Sequence, residues 1–205
     1  MTKRVSRRGF VGHVMFAGAA AALIQSPDFL GRRAGVAHAA SADILHETYN
    51  ALLAFVVPGR DEYSIQQRDV TDDAGGVEAG GVDALIATID ESTPYFPNFS
   101  SVIATILNDT SMAVNPFATG PFGAAFARLS SPEKAAVFQY LDSNDATKVL
   151  AGVLPAFVAF FVYSEAGSFD PITRSLTGAP VGWVISNYSG VADGRDEFLG
   201  YLKGK

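Results

Sequence analysis

The sequence predicts an all-α protein, a single helical domain of about five helices with a long ordered C-terminal tail. Three observations lead there. Apolar residues recur at spacings of three and four in stretch after stretch, and no segment alternates apolar and polar residues convincingly enough for a strand. Ser130 and Glu133 bracket Pro132 in the pattern of a capping box, where each side chain satisfies a free N–H near the other. Residues 149–163 are almost wholly apolar, yet Pro155 and their short length favour a buried central helix over a membrane span of about 20 residues.

In chain order, residues 1–39 stand apart from that body. They have the anatomy of a secretory leader, with a positive start at Lys3, Arg4, Arg7 and Arg8 and a weakly apolar middle at 14–24. Ala37-His38-Ala39 supplies small residues at Ala37 and Ala39, the positions a signal peptidase reads, which places the cut before Ala40. Ser6 before the arginine pair and Phe10 after it make Arg7, Arg8 and Phe10 a twin-arginine export signal, the address of a route that carries folded proteins. Gln25-Ser26-Pro27-Asp28 breaks the apolar middle, so it is a poor membrane anchor. The expected destination is outside the cytoplasm, in the periplasm, the cell envelope or the medium.

The helical domain is expected over 40–166. Its first helix begins near Asp43, a good N-cap, and carries Ile44, Leu45, Tyr49, Leu52, Leu53 and Val56 to the core before Pro58-Gly59 ends it. Residues 60–81, with Asp72-Asp73 and Gly75-Gly76, read as a long surface loop whose acidic pair is solvated. Leu85, Ile86 and Ile89 predict a helix over 82–91, closed by Pro94, and Val102, Ile103, Ile106 and Leu107 another over 99–114, stopped by Asn115-Pro116. Phe117, Phe122 and Phe126 cluster in a Gly/Pro-broken loop, where they either pack beneath it or face a partner. The capping box starts a helix running to Asp142, and 149–163 is the last helix.

Residues 167–205 differ in kind. They are rich in Gly, Pro, Asp and aromatics without clear periodicity, and loops of that length in a compact domain are functional or disordered. The aromatics argue against disorder, so the tail is expected to pack on the helices, on a partner, or on both. Trp183, the only tryptophan, either anchors an interface or caps its own core, and Tyr188 follows it in the same tail.

Composition narrows the function classes. The chain carries 15 Lys and Arg against 21 Asp and Glu, and without the leader nine remain against 20. Such an acidic body argues against nucleic acid and against docking on anionic lipid, leaving contact with a membrane only through a partner. There is no cysteine, so thiolate-held clusters and Cys-linked haem are ruled out, and the core alone must hold the fold. His46 is the one histidine after the leader, so a Ser-His-Asp triad or a histidine-ligated zinc would have to use it.

No constellation assigns catalysis, cofactor binding or a metal to this chain. Glu165 could serve as a general acid or base, but a helix-end carboxylate paired with Arg174 or Arg195 is the preferred reading. Ser164 lacks the Gly-x-Ser-x-Gly context of a hydrolase nucleophile. Asp193-Gly194-Arg195-Asp196-Glu197 has too few spaced oxygen ligands for a calcium loop, and no glycine-rich phosphate fingerprint follows a strand.

With the twin-arginine leader, the helix ending Ala54-Phe55-Val56-Val57-Pro58-Gly59, the later helices and the tail bearing Gly182-Trp183 and Tyr188-Ser189-Gly190, the chain resembles the gluconate 2-dehydrogenase subunit 3 family. The Gly/Asp-rich stretch after Pro58 and the extended tail depart from that family's usual pattern. The resemblance implies a non-catalytic small subunit of a large flavin-dependent dehydrogenase of the glucose-methanol-choline type. FAD would reside in that partner, which lacks a leader of its own. The small subunit would escort it through the twin-arginine translocase and stabilise it, with Trp183, Tyr188, Phe117 and Phe122 as candidate partner-binding residues. Two other classes are carried beside it, an exported enzyme acting through carboxylates such as Glu165 and a helical module binding an apolar ligand near Phe157, Phe160 and Phe161.

Overall fold

The computed structural model describes residues 42–93, 96, 98–164, 168–170, 172, 173, 175–178 and 180–185. The expected export signal and cleavage residues Arg7, Arg8, Phe10, Ala37 and Ala39 lie outside the described residues, as do Glu165 and Tyr188.

The fold is all-α. Among the described residues there are seven α-helices: α1 Ala42–Val56, α2 Glu62–Gln67, α3 Val82–Ser92, α4 Phe99–Val114, α5 Ser131–Asp142, α6 Lys148–Tyr163 and α7 Val181–Ile185. A 3-10 turn at Phe126–Arg128 precedes α5, and the two-residue strands β1 Phe169–Asp170 and β2 Ser175–Leu176 pair antiparallel. The five helices expected from periodicity and capping are α1, α3, α4, α5 and α6, although Asp43 stands in the first turn of α1 and not at its cap.

The central helix is α1. Tyr49, Ala51, Leu52, Leu53 and Ala54 point in successive directions around it and all are buried, because α2, α3, α4, α6 and the 3-10 turn surround it. Its buried polar groups are satisfied: the Tyr49 hydroxyl donates to Ser100 O (3.1 Å) and Thr48 Oγ1 donates to Ile44 O (2.7 Å). The expectation that 149–163 is the buried central helix is therefore corrected. α6 buries Leu150, Leu154, Phe157, Val158, Phe161 and Val162 against α1 and α5 but leaves its far side to solvent. Hydropathy ranks α6 as the more apolar helix, whereas position is decided by how many neighbours a helix has.

The expected surface loop at 60–81 is also corrected, since it folds back on the body and contains α2. Asp61 caps α2 by accepting from the Tyr63 and Ser64 amides, both at 2.9 Å, and Arg68 closes it in the left-handed region at φ 62°. Tyr63, Ser64 and Gln67 are buried, so the face α2 turns inward is largely polar and invisible to a search for apolar periodicity. Glu78 fastens the return of the segment by accepting from the Arg60 amide (2.7 Å) and the Gly75 amide (2.9 Å). Burial pushes the Glu78 carboxyl up, but those two amides together with its own amide and the Arg60 charge outweigh it and hold the group below its ordinary range.

Two glycines meet backbone to backbone at that closure, where a Cβ on Gly75 would lie 2.5 Å from Gly59 N. Gly75→Ala is expected to cost about 3 kcal/mol, the upper range for overpacking, because backbone cannot swing aside as a flexible side chain does. Urea titration of the variant checks it, with the midpoint falling at unchanged slope.

The capping box forms as the sequence indicates: Ser130 N donates to Glu133 Oε2 (2.8 Å) and Ser130 Oγ lies 2.7 Å from the same oxygen. The Ser130 hydroxyl and amide, with Asn115 Nδ2 at 2.6 Å from Glu133 Oε1, hold the Glu133 carboxyl below its usual range. Ser130→Ala is expected to lower stability by about 1 kcal/mol and the melting temperature by about 3 °C, measured by circular dichroism.

Candidate partner-binding face

The outward side of α6 carries Gly152, Ala156, Phe160 and Tyr163, with the two aromatics each 49% exposed. A helix apolar on all sides is ordinarily enclosed, and this side of α6 is exposed. The chain after Tyr163 adds to the same end of the molecule. α7 packs on α6, and Gly182 makes the approach possible, because a Cβ there would stand 2.6 Å from Tyr163 Cα. The Trp183 and Val184 amides donate to Pro180 O (2.9 and 3.3 Å), turning the chain into α7 and presenting Val184 to solvent.

The short β-ladder places a further apolar knob nearby in sequence. Asp170 Oδ1 accepts from the Ile172 amide and Asp170 Oδ2 from the Thr173 hydroxyl, both at 2.8 Å, so the turn is tied at its base while Ile172 is almost wholly exposed at its tip. The Thr173 hydroxyl and then the Ile172 amide hold the Asp170 carboxyl below its ordinary range.

The candidate aromatics part company. Trp183 belongs to a short helix and not to a loop, half-buried beside the exposed Val184. Phe117 is 85% exposed, whereas Phe122 is 8% exposed and stacks on Tyr63 with ring centroids 4.3 Å apart, so its ring is committed to this chain's own core. Phe157 and Phe161 face the core while Phe160 turns outward. Phe160, which the sequence offered only as a neighbour of an apolar ligand, stands on this surface with Tyr163 and Val184, which sequence reasoning passed over. Phe160 and Tyr163 could have been found by asking which side of an all-apolar helix lacks a neighbour.

Two polar constellations complete the inventory. His46 Nε2 lies 2.7 Å from Asp83 Oδ1, linking α1 to α3 at the surface, with the His46 side chain 41% exposed and Asp83 86%. Such exposed pairs are worth about 0–1 kcal/mol. Among the described residues, no group of three or more His, Cys, Asp or Glu side chains could hold a metal ion. Lys134 is fully buried on α5, its Nζ donating to Gln67 Oε1 (2.8 Å) and Ala51 O (3.2 Å) and standing 5.3 Å from the centre of the Phe126 ring. Gln67 Nε2 in turn donates to Ala54 O (2.8 Å), so one buried polar chain ties α5, α2 and α1 together. Burial pushes the Lys134 pKa down to about 7, against an opposing pull from Asp61.

Fold and surface together define an all-α domain that presents an aromatic-lined helix face, with no helix among the described residues long and apolar enough to cross a membrane. No known family, curated protein or solved structure matches the chain.

Proposed function

We propose that this chain is a non-catalytic small subunit that binds a folded partner through the outer side of α6, escorts it through twin-arginine export and stabilises it afterwards. The observation that carries the reading is the exposed side of α6, where Phe160 and Tyr163 stand half in solvent on a helix whose opposite side is core. Large aromatics at the centre of a patch are the residues that dominate association energy once a partner desolvates them. The resemblance to gluconate 2-dehydrogenase subunit 3 supplies the class of partner, a large leaderless flavin-dependent dehydrogenase of the glucose-methanol-choline type with FAD bound in it. Binding only the folded partner stabilises it by mass action, which suits a route that carries folded cargo.

The leader supplies the test. With Arg7→Lys and Arg8→Lys in the full chain, flavoprotein should accumulate inside the cells and fall outside them. Unchanged export of the flavoprotein contradicts the escort role.

A further inference from the structure

A second surface, away from α6, is also unusual. α2 buries Ser64 and Gln67 yet exposes Ile65 (61%), and Val70 beyond it is 54% exposed. The loop bearing exposed Phe117 runs against the same helix, with Gln66 Nε2 donating to Thr119 O (3.0 Å) and Gly120 seated on the Gln66 side chain. Around Ile65 and Val70 the segment is acidic: Glu62, Asp72 and Asp73 are exposed and Asp61 and Asp69 half-buried, against Arg60 and Arg68.

The start of the body lies beside this surface. Glu47 Oε2, near the start of α1, accepts from the Ala124 amide (2.7 Å), and Phe122 of the same loop stacks on Tyr63 of α2. The chain therefore enters α1 at Ala42 next to the loop that displays Phe117. Residues 1–41 carry six Lys or Arg against the single acid Asp28, with an apolar stretch at 14–24. Their composition is the complement of the surface in both charge and hydropathy.

We propose that the N-terminal segment of this same chain docks across the Ile65, Val70 and Phe117 surface, its basic residues facing Glu62, Asp72 and Asp73. Tethering at Ala42 raises the local concentration of the segment to about the millimolar range, so a weak contact suffices to hold it. Docking would cover the segment until a competitor displaces it. The inference needs only the charge and hydropathy of the segment and rests neither on its role in export nor on the proposed partner of α6.

The absence of cysteine makes the test clean. Full-length chain carrying Ala20→Cys and Thr119→Cys is treated with a short bismaleimide, beside a control pairing Ala20→Cys with Gly152→Cys on α6. The expected result is an intramolecular crosslink about five-fold above the control, falling toward it at ~0.5 M salt, where the screening length is about 4 Å. Adding Ile65→Asp and Phe117→Asp, both at exposed positions, should bring the yield to the control level. A yield already at the control level, crosslinks only between chains, or a crosslink indifferent to Ile65→Asp and Phe117→Asp would each overturn the proposal, the second by showing a second copy as the occupant.

Discussion

Lys134→Ala should cost the fold about 3 kcal/mol, as large an effect on stability as that of Gly75→Ala. The loss has two parts. It opens a void beside Phe126, and it strips Gln67 Oε1 of its donor inside a region where water does not replace it. Lys134→Met keeps most of the volume and removes the cost of burying a cation, so it should lose only about 1 kcal/mol, the part due to the stranded carboxamide oxygen. Urea titrations of the two variants check the order. If alanine and methionine cost the same, the void contributes nothing and Lys134 acts through the bonds of its amine alone.

The same residue sets a pH dependence whose sign follows from linkage. The Lys134 pKa is held near 7 in the folded protein and stands at 10.5 in its absence, so between those values the unfolded chain binds more protons than the folded one. Its contribution is fully present above about 10.5 and is lost as pH falls toward 7. Stability should therefore rise with pH across that window, by at most about 1.4 kcal/mol per unit, and the slope should vanish in Lys134→Met. Tyr49 works the other way above pH 10. Burial, with Asp90 adding to it, raises its phenol well above 10.0, so the unfolded chain loses that proton first and stability declines again. Melting temperatures of wild type and Lys134→Met from pH 6 to beyond pH 11 separate the two residues.

Phe160→Asp combined with Tyr163→Asp should have the largest effect on association and almost none on folding. Both side chains stand half in solvent on the outer side of α6, and substitutions at such positions move stability by about 0.5 kcal/mol or less. Two central aromatics in a covered patch are worth about 2 kcal/mol each, so their joint loss weakens a complex by about a thousand-fold. Calorimetric melts of the free chain and affinity measurements of the complex give the two numbers independently.

Much of this fold was legible because helices report themselves through apolar spacing, and α1, α3, α4 and α6 do so. α5 was legible through its cap, as Ser130 and Glu133 bond to each other over three residues. α2 was not, because its inward face is polar and the donor that satisfies Gln67 is Lys134, 67 residues away. No window of local sequence contains both partners. The loop aromatics show the same limit from another side. Phe117 and Phe122 have the same chemistry and the same Gly/Pro-broken setting, and only the placement of Tyr63 sends one inward and leaves the other out. The outer face of α6 was hidden for a related reason, since hydropathy records that a helix is apolar on every side but not which side goes without a neighbour.

The most direct test of the account is isolation of the tagged full-length chain from its own cells under mild conditions. A leaderless flavoprotein should accompany it in fixed stoichiometry, with flavin absorbance in the complex, and Phe160→Asp with Tyr163→Asp should leave the chain folded but alone. A chain that emerges by itself with a bound prosthetic group or measurable turnover, or a complex that survives those two substitutions, would contradict it.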